Sequence, residues 1–73
     1  MTDYGVVLFY TTSAAIRSEK LLLKGGYNVK MIPTPRELSS DCGIALRFDW
    51  SEQEPVRKSL ETASVEIQSI HRM

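Results

Sequence analysis

A single cysteine, a single histidine and a single tryptophan in 73 residues leave few of the devices on which short chains depend. One cysteine excludes an internal disulfide and any multi-cysteine zinc or iron–sulfur centre. With His71 as the only imidazole, too few soft ligands remain for a metal site within one chain. A chain that cannot be stapled fits a reducing, cytoplasmic compartment. Net charge is missing as well: nine Lys and Arg balance nine Asp and Glu. Nucleic-acid binders carry a basic excess, so no nucleic acid is expected as a partner. Long hydrophobic runs are also absent. The apolar run Val6 to Tyr10 is far too short for a signal core or a membrane span, and Asp3 stands where a leader would be basic. Neither a membrane partner nor a cofactor is expected.

What is present is enough for a core. Hydrophobic residues make up 42% of the chain and charged residues 25%, the balance of a packed globular domain rather than of a disordered one. One domain over residues 1–73 is the expectation. A chain of this size buries only about 60% of its unfolded surface, so stability should be modest and a homodimer is a candidate assembly.

The run Gly5-Val6-Val7-Leu8-Phe9-Tyr10 is β-branched, aromatic and apolar at every position, which predicts a central strand covered on both faces. Thr11 and Thr12 can cap a helix over Ala14 to Lys24, with Ala15, Ile16, Leu22 and Leu23 on its buried side, and Gly25-Gly26 stops it. Val29 to Ile32 predicts a second strand, with Val29 and Met31 on one face, Lys30 and Ile32 on the other. From Gly43 a third strand places Ile44, Leu46 and Phe48 on one face and Ala45 and Arg47 on the other. Trp50, just beyond, is expected to lid the end of the sheet. Ser51 and Glu54 have capping-box spacing, and Val56, Leu60 and Ala63 follow at helical intervals. Val65 to Ile70 alternates as a fourth, edge strand, and His71 beyond it is expected to be frayed and exposed. This order, β-α-β-β-α-β, is the split β-α-β or ferredoxin-like arrangement. It is an α+β fold with a four-stranded antiparallel sheet, both helices on one face and strands one and three in the centre. Lys30 and Arg47 would face away from the helices, and Val7 or Phe9 on that side would form an apolar patch suited to dimerisation or docking.

Between the second and third strands, Pro33 to Cys42 is longer than the two to five residues of an ordinary hairpin loop. Pro33 and Pro35 stiffen its start; Thr34, Arg36, Ser39 and Ser40 bring hydrogen-bond donors; Cys42 precedes the unobstructed backbone of Gly43. The residues alone leave two readings: a small core cysteine at a strand end, or a functional thiol in a stiff, donor-rich loop.

These residues resemble a known family, the selenium/sulfur carrier-like small bacterial proteins, formerly a domain of unknown function. The resemblance lies in Ile32-Pro33-Thr34-Pro35-Arg36-Glu37-Leu38-Ser39-Ser40, then Cys42-Gly43 and Ala45-Leu46-Arg47-Phe48. It extends to Thr12 and Glu19-Lys20-Leu21-Leu22. It implies that Cys42 is a carrier thiol holding a persulfide or selenopersulfide, and it marks Pro33, Pro35, Arg36, Ser39 and Gly43 as motif positions. It further implies donor and acceptor proteins as partners, and a carrier or sulfurtransferase-associated factor rather than a stand-alone enzyme. One thiol suffices for such transfer but not for an intramolecular dithiol cycle. An ordinary cysteine is roughly 3% thiolate at pH 7, so a cation near the sulfur would raise the reactive fraction. Arg36 would act in that sense and Asp41 against it.

Two alternatives stand beside the carrier. The first is a non-catalytic binding module, holding an anion through Thr34, Arg36, Ser39 and Ser40 or docking a protein on the open sheet face. The second is a thiol-dependent redox protein whose resolving cysteine belongs to another chain.

Overall fold

The first strand, β1 (Tyr4–Leu8), is buried at every position from Gly5 onward and occupies the middle of the sheet. The structure, a computed structural model, describes residues 3–38 and 42–73. Helix α1 (Thr12–Lys24) leads to strand β2 (Val29–Pro33), and residues 34–43 connect this to β3 (Ile44–Asp49). A 3₁₀ turn over Trp50–Glu52 then runs into α2 (Gln53–Thr62), and β4 (Ser69–Arg72) closes the order. The sheet order is β2-β3-β1-β4, antiparallel throughout, as the ferredoxin-like pattern requires.

Strand alternation divides the sheet residues between two apolar clusters. On the helix side, Val7, Phe9, Leu46, Phe48 and Val29 pack with Ala15 and Leu22 of α1 and Val56 and Leu60 of α2. On the other side, Val6, Leu8 and Ala45 are buried without any helix, beneath Tyr4, Ile32, Leu38 and Met73. Val7 and Phe9 therefore face the helices and form no patch on the open face; the β1 residues on that face are Val6 and Leu8, and both are buried. Lys30 and Arg47 do stand on that open face, opposite one another in the β2–β3 register.

Several local expectations give way to tertiary constraints. In α1 the buried set is Ala15, Ser18 and Leu22, while Ile16 and Leu23 remain 43% and 52% exposed. The spacing i, i+3, i+7 points straight at the sheet, and Ser18 tolerates full burial because its hydroxyl donates to the Ala14 carbonyl at 2.8 Å. The cap is Thr11, whose hydroxyl accepts from the Ala14 N–H at 3.1 Å. The Ser51–Glu54 capping box does not form: Ser51 lies inside the 3₁₀ turn, and Glu52 is the N-cap without a side-chain bond. Pro55 falls in the first turn of α2, where its missing N–H costs nothing. Trp50 stacks on Phe48, with ring centroids 5.9 Å apart.

The fourth strand begins four residues later than its alternation suggests. Both helices end in the same double hydrogen bond, Gly26 N–H to Leu23 and Tyr27 N–H to Leu22 in α1, Ser64 N–H to Glu61 and Val65 N–H to Leu60 in α2. That closure uses Val65 as a buried helix stop. The chain reaches the sheet only where the Gln68 N–H donates to the Leu8 carbonyl. His71 consequently lies within β4 opposite Val6, half-buried, its Nε2 2.8 Å from the Ser69 hydroxyl.

Two substitutions test this packing in urea unfolding. A Cβ on Gly5 would sit 2.7 Å from both Phe48 Cζ and Trp50 Cε3, so Gly5→Ala should destabilise by about 1–3 kcal/mol. Ser64 holds the left-handed position of its helix end at φ 57°, so Ser64→Gly should stabilise by about 1 kcal/mol.

Candidate functional site

The long loop is closed at its base as an extension of the sheet. Pro33 is the last residue of β2, paired with Ile44, and the Thr34 N–H donates to the Gly43 carbonyl at 3.2 Å. Pro35 then accepts from the Leu38 N–H at 3.0 Å, turning the chain with Arg36 and Glu37 exposed at the corner. Ser39, Ser40 and Asp41, to which the sequence assigns donors and one opposing charge, lie outside the described residues. The chain re-enters through Cys42 and Gly43. Gly43 has φ 71°, and a Cβ there would meet nothing within 4 Å, so the demand for glycine is conformational rather than steric.

The loop straddles the end of the sheet. Cys42 is half-buried against the helix-side cluster, where its thiol donates to the Ile44 carbonyl at 3.2 Å. Leu38 packs instead on the opposite, helix-free cluster. An apolar residue in an otherwise polar loop was the one sequence signal for that anchor. Thr34 is half-buried, and its Oγ1 is buried without a hydrogen-bond partner. Arg36 is exposed, and among the described residues it makes no hydrogen bond or ion pair.

The pairing of Leu8 with Ala45 sets what else lies at this end. The chain leaves β1 there and enters α1 at Thr12, so the N-terminus of α1 and the thiol belong to the same end of the sheet. The exposed Tyr10, at 45%, lies between β1 and α1 at that end. The chemistry available is that of one partly accessible thiol at a rigid strand entry. Its S–H is directed at a backbone carbonyl.

Residues 4–72 match the model of a family described as "Putative Se/S carrier protein-like". The chain belongs to this family. An uncharacterized protein of Methanocaldococcus jannaschii is 26% identical to this Se/S carrier-like chain over 61 residues, which make up 84% of the chain. The chain spans 30% of the length of that curated relative. No solved structure matches it. Among the described residues of this family member, no helix is long and apolar enough to cross a membrane.

Gly43 offers a direct test of the loop's base. Gly43→Ala should cost about 1–2 kcal/mol, the penalty of a left-handed alanine, read as a lowered urea midpoint. It should also change the rate of Cys42 alkylation, because the strained residue adjoins the thiol.

Proposed function

We propose that Cys42 is the carrier thiol of this Se/S carrier-like domain. What supports the reading above all is the position of the thiol: partly accessible, at the base of a proline-stiffened loop pinned to the sheet. In the transfer, the Cys42 thiolate attacks the terminal sulfur of a donor persulfide. The donor's S–S bond breaks, the donor sulfur leaves as a thiolate with the bonding pair, and Cys42 holds the persulfide. An acceptor nucleophile then takes the terminal atom and returns Cys42 to the thiolate, so no net oxidation occurs. Selenium follows the same steps as a selenopersulfide.

Arg36 is the cation we assign to the charged intermediate. It is exposed at the turn and uncommitted to any carboxylate among the described residues. Pro33 and Pro35 limit the loop's freedom, and Gly43 supplies the backbone geometry at which the thiol enters β3. The donor and acceptor are separate proteins, because a single-thiol domain neither generates nor consumes the atom it holds.

Incubation with a cysteine desulfurase and cysteine should add one sulfur atom to the intact mass, removable by reductant and absent in Cys42→Ser. Arg36→Ala should slow Cys42 alkylation at neutral pH by a few-fold, as expected of one exposed charge. A wild-type chain that stays unmodified under conditions that load a known carrier rejects the assignment.

A further inference from the structure

Charge that the fold leaves unneutralised sits on the helix-free face of the sheet. Lys30 on β2 and Arg47 on β3 are directly opposed and both exposed. Like charges in directly opposed positions destabilise a sheet. Among the described residues, neither cation has an ion pair with a carboxylate. Lys30 alone has an ordinary explanation, since a lysine on an edge strand discourages strand addition. Arg47, on the central β3, has none of that kind. Its guanidinium carbon lies 4.2 Å from the centroid of the Tyr4 ring, which steadies the side chain on the face. A depression of about 260 Å³ where β2 begins and β3 ends is lined by Asn28, Val29, Lys30, Arg47, Phe48 and Asp49, and so reaches the edge of this face. Beside it lie Ile32 and Leu38 over the buried floor of Val6, Leu8 and Ala45.

We propose that this face docks an acidic, partly aliphatic segment of a partner protein. Lys30 and Arg47 pair with its carboxylates, and Ile32 and Leu38 meet its aliphatic side chains. The charge argues for this occupant over the others. An isologous contact between two copies would bring four cations into one interface against two Asp49 carboxylates. Two cations on a chain of zero net charge neutralise too few phosphates for a nucleic acid. The surface is independent of the carrier reading, although Leu38 joins the two, since it belongs to the loop that carries Cys42.

The test is an NMR titration of the isotope-labelled protein with a peptide of alternating Glu and Val. The same peptide with Gln for Glu, and an oligouridylate, serve as comparisons. Shifts should cluster around Lys30, Ile32 and Arg47 with the acidic peptide, weaken with salt, and stay absent with the other two probes. The Lys30→Glu/Arg47→Glu variant should lose about two- to thirtyfold in affinity, the product of two exposed ion pairs, and should bind a Lys-Val peptide instead. Lys30→Gln, a neutral change at an exposed edge position, should give a smaller loss with the fold intact. Cys42→Ser should bind as the wild type does, even if loading of the thiol fails. Absence of binding, shifts centred elsewhere, equal binding of the Gln peptide or the oligouridylate, or dimerisation through this face would each overturn the proposal.

Discussion

The antiparallel pairing of β1 with β3, from Tyr4 opposite Asp49 to Leu8 opposite Ala45, is the constraint on which the rest of the molecule depends. It places the two most apolar strands side by side in the centre, so that residues on both faces of each must be covered. The helices cover one face. The other is closed by smaller means: the Tyr4 ring beneath Arg47, Ile32 from the edge, Leu38 from the loop and Met73 beyond β4. The same register fixes the close approach at Gly5, where Phe48 and Trp50 occupy the space of a side chain. It also sends the entry to β3 to the end of the sheet at which α1 begins. Position of the thiol and closure of the core are thus consequences of one alignment.

That alignment also sets the two ends of the connection between β2 and β3. Its base is a continued ladder bond from Thr34 to Gly43, and its two apolar side chains grip opposite faces, Leu38 on one and Cys42 on the other. A cysteine held this way is half-buried, its sulfur bonded to the Ile44 carbonyl. The arrangement accounts for a thiol that is positioned without being sealed in the core. It carries a local cost: the Thr34 hydroxyl oxygen is buried without a partner, a burden of about 1–3 kcal/mol for a group of that type. Strain and orphaned polar groups concentrate where a fold serves something other than its own stability.

The two proposed roles, loading of a thiol and docking of a partner, draw on different parts of the surface. The exposed Tyr10 lies at the end of the sheet that holds the thiol, and Arg36, exposed at the turn of the loop, makes no ion pair among the described residues. The helix-free face offers the opposed cations Lys30 and Arg47. These surfaces meet at the loop, because Leu38 rests on the face opposite to Cys42. Zero net charge does not reveal this local pairing of two cations, which the strand register brings together.

The amino-acid sequence by itself determined the order of elements, the central place of the first strand and the unusual length of the connection between the second and third strands. Apolar periodicity, glycine stops and proline stiffness are local properties, and they act before any long-range contact forms. It misjudged α1, where Ile16 and Leu23 look as apolar as Leu22 but turn outward, and β4, where Val65 alternates like a strand yet ends a helix. The capping box at Ser51 does not form, since Ser51 lies inside the 3₁₀ turn Trp50–Glu52. Only the tertiary structure decided which sheet face the helices cover, that Val6 and Leu8 rather than Val7 and Phe9 floor the open side, and that Leu38 and Cys42 part to opposite faces. Those outcomes depend on strand register, and a shift of one residue reverses every side chain, so local preference cannot supply them.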